Sequence, residues 1–217
     1  MAGKGQATPE NHSRRPLRGF FYRLVGQLRM NRITEIAKEL RGQICWGVTW
    51  DSQLNMSMSF GKPHLRIREP HATKSRSRHV QQLASHRIVT VKGAWWLWIF
   101  CAYWKLTASE SLTVTNSSSL RQKQRAMAHL DGQKLKTLRV NAATGATEFT
   151  FDLGATLHVR RYSNDDSDIW TLYKPNGFVL GVRGDGTFTY SRGTTPPDRL
   201  IPRKIEMPNK TATADRQ

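Results

Sequence analysis

Eleven residues, Ala94 to Trp104, read Ala-Trp-Trp-Leu-Trp-Ile-Phe-Cys-Ala-Tyr-Trp, and any fold of this chain has to house them. As a helix the run is too short to cross a bilayer, which takes about 20 apolar residues. As a strand it sets Trp96, Trp98, Phe100 and Ala102 on one face and Trp95, Leu97, Ile99 and Cys101 on the other. Neither set is polar, so the run predicts a central strand covered on both sides. Phe149, Phe151, Trp170 and Leu172, further along the chain, are the expected cover. An exposed dimer or ligand surface is the alternative for so large an apolar patch.

The chain around this strand repeats itself imperfectly. Leu40-Arg41-Gly42-Gln43 precedes Met56, Met58 and Phe60, then Leu65-Arg66-Ile67-Arg68. Leu130-Asp131-Gly132-Gln133 precedes Phe149 and Phe151, then Leu157-His158-Val159-Arg160. Ile33, Ile36, Ala37 and Leu40 have helical spacing, with Gly42 where a helix-ending glycine belongs. Leu120, Met127 and Leu130, followed by Gly132, repeat the arrangement less cleanly. Alternating strands follow each Gly-Gln: Ile44/Trp46/Val48/Trp50 in the first copy, Leu135 and Leu138/Val140 in the second. Each copy closes on an aromatic strand, Trp95 to Tyr103 and Ile169 to Tyr173, and Phe178 to Val182 and Thr187 to Tyr190 follow turn signals. The expected fold is α+β, mostly β: two related helix-plus-antiparallel-meander units packed through an aromatic core.

On this reading residues 1–29 are a basic leader and 30–116 the first unit, with a basic insertion near 71–87 and a helical turn around Val80 to Ala84. Residues 117–192 are the second unit, and 193–217 a flexible tail with four prolines. The leader reads as solvated chain, or as an arm for a membrane surface or nucleic acid. Two cysteines, Cys45 and Cys101, cannot build a disulfide framework and read as small core residues. With no apolar leader stretch, the expected address is cytoplasmic, without a membrane span.

The formal charge of +18 invites a nucleic-acid reading. It is unevenly spread. Residues 71–93 hold five Lys/Arg and no acid, and 120–139 hold six Lys/Arg and one Asp. The leader and tail carry most of the remainder, while 140–191 are slightly acidic. Lys74, Arg76, Arg78, Arg87 and Lys92 would form one basic surface with Arg121, Lys123 and Arg125 if the second helix packed near the insertion. Stacking of bases needs exposed aromatics beside such charges, and here the aromatics fall in core-like strands. A merely solvated surface or an acidic protein partner are the other readings.

The two Gly-Gln starts, the hairpin Phe149-Thr-Phe-Asp152-Leu-Gly154 and the strand pair Asp168-Ile-Trp170-Thr-Leu-Tyr173-Lys-Pro175-Asn-Gly177 resemble a family of uncharacterised bacterial β-rich domains. The resemblance covers about 40–190. It implies a small β-rich protein, and relatives of this kind sometimes act as immunity or partner-binding proteins. The first copy departs from the pattern, with Phe60-Gly61-Lys62-Pro63 lacking the hairpin Asp.

No catalytic constellation is legible. His64, His71, His79 and His86 have no metal-ligand spacing, so they read as solvated or hydrogen-bonded, and no cofactor is expected. Asp165, Asp166 and Asp168 lack the Glu of a calcium loop and read as a turn, or as charge partners of Arg160 and Arg161. The Arg183-Gly-Asp185 sequence reads as a turn, and Asn11, Asn55, Asn116 and Asn209 lack a secretory context. The expected function is a non-enzymatic interaction module with a protein partner; nucleic-acid binding is the alternative.

Overall fold

The computed structural model describes residues 32–51, 55–162 and 167–206. The 1–29 leader, the end of the tail, and Asp165 and Asp166 lie outside the described residues. The fold is α+β and mostly β. Helix α1 (Arg32–Leu40) leads into β1 (Cys45–Trp50) and β2 (Met56–Arg68), then α2 (Arg78–Ser85) and β3 (Ile88–Ile99). After β4 (Ala102–Ser109) and β5 (Leu112–Thr115) comes α3 (Leu120–Leu130). The remaining strands are β6 (Leu135–Val140), β7 (Thr147–Phe151), β8 (Thr156–Arg161), β9 (Asp168–Tyr173), β10 (Phe178–Arg183), β11 (Thr187–Arg192) and β12 (Arg203–Lys204). They form two antiparallel sheets, ordered β1-β2-β3-β9-β10-β11-β12 and β5-β4-β8-β7-β6.

The two Gly-Gln segments meet. Helix α1 buries Ile33, Ile36 and Leu40, and α3 buries Ala126, Met127 and Leu130. Each ends before a glycine in the left-handed region, Gly42 at φ +79° and Gly132 at φ +91°, where any other residue would be strained. The Gly42 amide donates to the Leu135 carbonyl (2.8 Å) and the Gly132 amide to the Cys45 carbonyl (2.7 Å). Cys45 donates to Gln133 (2.8 Å) and Leu135 to Gln43 (3.0 Å), so each segment satisfies the other's backbone in the same pattern. Buried Gln133 adds side-chain bonds to the His129 carbonyl and from the Ala155 amide. The Gly-Gln pair is therefore a structural clasp.

The two halves do not pack as separate bodies. The seven-stranded sheet takes β1–β3 from the first and β9–β11 from the second, and the five-stranded sheet takes β6–β8 and β4–β5. One core lies between the sheets. It holds Met56, Met58, Phe60, Trp95, Leu97, Ile99, Trp170 and Leu172 on one side and Trp104, Leu106, Phe149, Phe151 and Leu157 on the other. Phe149 and Trp170 meet edge to face across it at 5.7 Å, and the Trp170 indole donates to Thr147 Oγ1 at 2.8 Å.

Several expectations need correcting. The aromatic run is two strands in different sheets, broken at Phe100-Cys101, with exposed Cys101 at φ +50°. Cys45 is buried as expected, but Cys101 is not a core residue. Trp170 and Leu172 do not cover β3; they lie beside it, opposite Ile99 and Leu97 in register. Only the inward face of β3 belongs to the core: Trp95, Leu97 and Ile99 are buried, whereas Trp96, Trp98 and Phe100 on the outward side are half-buried, since α1 packs against β6 and α3 against β1, β4 and β5. The Leu65-Arg-Ile67-Arg element is exposed, whereas Leu157 and Val159 are buried. Leu97 and Ile99, core residues of β3, occupy the places that Leu157 and Val159 hold in the other half. In the tail, β12 pairs with β11 and Ile205 is buried, so 193–206 are not loose.

Candidate nucleic-acid interface

Strands β2 and β3 outrun their sheet. β1 pairs with β2 only as far as Phe60, and β9 with β3 only from Trp96 onward, while the β2–β3 pairing continues to Arg68↔Ile88. The excess is a two-stranded arm, closed at its tip by the 69–87 segment and α2. Arg68 donates to the Leu83 carbonyl, Arg87 pairs with Glu69 at 2.8 Å, and the His71 amide donates to Ala84. Ser77 caps α2 through the Val80 amide. Residues 62–92 hold eight Lys/Arg, four His and one acid, Glu69.

Alternation gives the arm two unlike faces. Leu65, Ile67, Val89 and Val91 are paired side by side and 52–63% exposed. They continue the core face of β2 and β3 beyond the body. On the reverse face stand His64, Arg66, Arg68, Thr90 and Lys92. That basic face runs along β3 into half-buried aromatics, because Lys92, Trp96 and Trp98 share one side of the strand.

These aromatics form a ladder. Trp96 and Trp98 have centroids 6.1 Å apart with rings 8° from parallel, and Trp98 lies 4.3 Å from Phe100. Tyr173, opposite Trp96 in register, sits 4.9 Å from it. The Lys92 ammonium stands 4.6 Å from the Trp96 ring, a cation–π contact that joins arm to ladder. Beside the ladder on the same face lie Ser57, Gly181 and the buried Ser59, Thr171 and Thr189, with Trp46 opposite Ser59 and Val179 opposite Tyr173. Asp168 borders this floor, its carboxylate lying over Gly181, where a Cβ would come within 2.6 Å of Oδ2. Burial holds the Asp168 carboxyl above the ordinary carboxylate range, against the attraction of Arg183.

The basic residues named from sequence separate into two groups. Lys74, Arg76, Arg78 and Arg87 lie on the arm, exposed. Arg121 and Arg125 are exposed on α3, which packs on β1, β4 and β5 at the body. Lys123 is not at any surface: it is 5% exposed, donates to the Asn116 carbonyl and lies 5.9 Å from the Trp104 ring. Asp168 faces Arg183 rather than Arg160 or Arg161. From sequence, Trp96 and Trp98 stood in a strand read as core, with a ligand surface as the alternative, and neither Tyr173 nor Arg66 was singled out. The signal was present in the alternation of Lys92 with Trp96 and Trp98, but its use required knowing that this side of β3 lies on the outside of the sheet, half-buried.

Burial pushes the Cys45 thiol far above its usual range, so it is a neutral core group and no nucleophile. Among the described residues no three His, Cys, Asp or Glu side chains are placed to hold a metal ion, and no helix is long and apolar enough to cross a membrane. No family model, curated protein or solved structure matches this chain, so the family resemblance rests on its motifs alone.

Proposed function

We propose that this protein is a non-enzymatic binding module whose ligand is single-stranded nucleic acid, held along the arm and the aromatic ladder. The observation that carries this reading is the continuity of one face, from Arg66 and Lys92 to Trp96, Trp98 and Phe100. Single strands are bound by backbone-tracking cations beside aromatics on which bases stack. A strand of about a dozen residues such as β3 runs roughly 40 Å, enough for several nucleotides. Phosphate contacts to the arm would supply salt-sensitive affinity, and the ladder would add stacking without sequence readout. Two free cysteines fit the expected cytoplasmic setting.

The test is fluorescence anisotropy with a labelled oligo(dT) of about twelve nucleotides at several salt concentrations. Trp96→Ala and Trp98→Ala are each expected to weaken binding by about 5- to 100-fold, the range for one stacked base. Arg66→Ala and Lys92→Ala are expected to flatten the salt dependence, each by close to one phosphate contact. Oligo(dT) binding unmoved by the tryptophan variants would overturn the ladder, and absence of binding at low salt would overturn the reading altogether. A second reading, a protein partner of the immunity-like kind, draws on the bare strip of Leu65, Ile67, Val89 and Val91. It is the one left standing if no oligonucleotide binds.

A further inference from the structure

The outward face of the five-stranded sheet carries a different grouping. Cross-strand register sets Tyr103 opposite Arg160 and Lys105 opposite His158, and the second row continues through Glu148 to Arg139. A cavity of about 760 Å³ opens over these residues. The Arg160 guanidinium lies 4.8 Å from the Tyr103 ring, which holds its fork at the surface. Tyr103 in turn lies 4.4 Å from Tyr162. Glu148 is shared, 3.7 Å from both Arg139 Nη1 and His158 Nδ1. Lys105 has no ion-pair partner among the described residues. Lys105, Arg139 and Arg160 therefore face one carboxylate, and these four groups leave a local excess of two positive charges.

We infer that this cavity binds a phosphomonoester dianion carried on a planar ring. An excess of two positive charges matches the dianion. Lys105 supplies a mobile point charge and Arg160 a fixed fork, the two usual modes of phosphate recognition. His158, between them in the block, adds a ring N–H donor, and Tyr103, which lines the cavity with its ring held against Arg160, offers the planar ring an aromatic contact. Glu148, 3.7 Å from both Arg139 and His158, sets the charge balance at two rather than three. The site lies on the other sheet from the arm, and the inference holds whether or not the arm binds nucleic acid.

Two sources share this chemistry, a free mononucleotide and the phosphorylated end of a strand. The experiment is isothermal titration of the full chain with adenosine 5′-monophosphate, adenosine and inorganic phosphate. A second arm compares 5′-phosphorylated with 5′-hydroxyl oligo(dT). Adenosine 5′-monophosphate is expected to bind at least tenfold more tightly than adenosine or phosphate alone. Lys105→Ala and Arg160→Ala are each expected to lower its affinity about tenfold or more, as for loss of a charged hydrogen bond. Arg160→Lys should recover part of the loss, which a merely structural role would not predict. A preference for the phosphorylated oligonucleotide that exceeds the mononucleotide's affinity assigns the site to strand ends, and the reverse assigns it to free nucleotide. No binding of the mononucleotide, or binding by both alanine variants as tight as by the unaltered protein, overturns the inference. Oligo(dT) binding without mononucleotide binding would sink the cavity site and leave the arm untouched.

Discussion

Lys123 is a buried charge and Asp168 a half-buried one, and they reach opposite settlements. Lys123 falls at i, i+4 and i+7 with Met127 and Leu130, one face of α3. Its ammonium is satisfied by the Asn116 carbonyl and the Trp104 ring. Asn116 in turn accepts from the Trp104 amide at 2.7 Å and donates to the Ala102 carbonyl at 3.1 Å, so one asparagine holds β4 and the approach to α3. The helical spacing made Lys123 readable as an inward position, but the basic run around it suggested a surface. Asp168 is less well compensated, since its carboxyl is raised by burial, with the Asp185 charge adding to the effect and Arg183 opposing it. A folded carboxyl that holds its proton to higher pH than the unfolded one costs stability when ionised. That cost is present at neutral pH and is gone once pH falls below the unfolded value. Asp168→Asn is therefore expected to raise the melting temperature at pH 7 and to leave it unchanged near pH 3, by thermal unfolding followed by circular dichroism. A lower melting temperature at pH 7 would mean that the Arg183 attraction outweighs desolvation.

The arm is an element added to a sheet that closes without it. In the second half, the chain turns from Phe151 back to Ala155 within three residues, Asp152-Leu153-Gly154, closed by a 2.9 Å amide bond from Phe151 to Ala155. In the first half, Phe60 faces Trp95 in register, yet 34 residues separate them. Along the 62–92 stretch Ala84 is the one buried residue, so excising it removes little core. Replacing 62–92 by a short glycine-containing turn is expected to preserve one cooperative urea transition, with stability changed by no more than about 1–2 kcal/mol. Oligo(dT) affinity should fall at least tenfold, with most of the salt dependence lost. Loss of the folded transition would show that the arm is part of the core. The basic insertion was legible from composition alone. Its extension as a ribbon was not, because Leu65-Arg-Ile67-Arg alternates as any half-buried strand does, and only the absence of a layer packed on the ribbon leaves Leu65, Ile67, Val89 and Val91 exposed.

At the scale of the molecule, the exchange of strands between halves makes each sheet depend on the whole chain. Strand β3 has β9 as its neighbour, and β8 has β4, so neither half possesses a complete sheet. Fragments 32–116 and 117–206, expressed separately, are each expected to lack dispersed amide resonances by NMR. One fragment folding alone would show its meander and helix to be self-sufficient. The helix-ending glycines, the Gly-Gln pairs, the strand periods and the turn residues were set by local rules: left-handed φ at Gly42 and Gly132, alternation in β1–β3, and apolar spacing in α1. These the sequence determined by itself, because each depends on neighbours a few residues away. Which strands share a sheet, the break at Phe100-Cys101, the half-buried outer side of Trp96 and Trp98, and the meeting of Tyr103 with Arg160 were decided only by the tertiary structure. An apolar face is identical in sequence whether a layer covers it or not, and the cover here depends on where two helices and a second sheet come to rest.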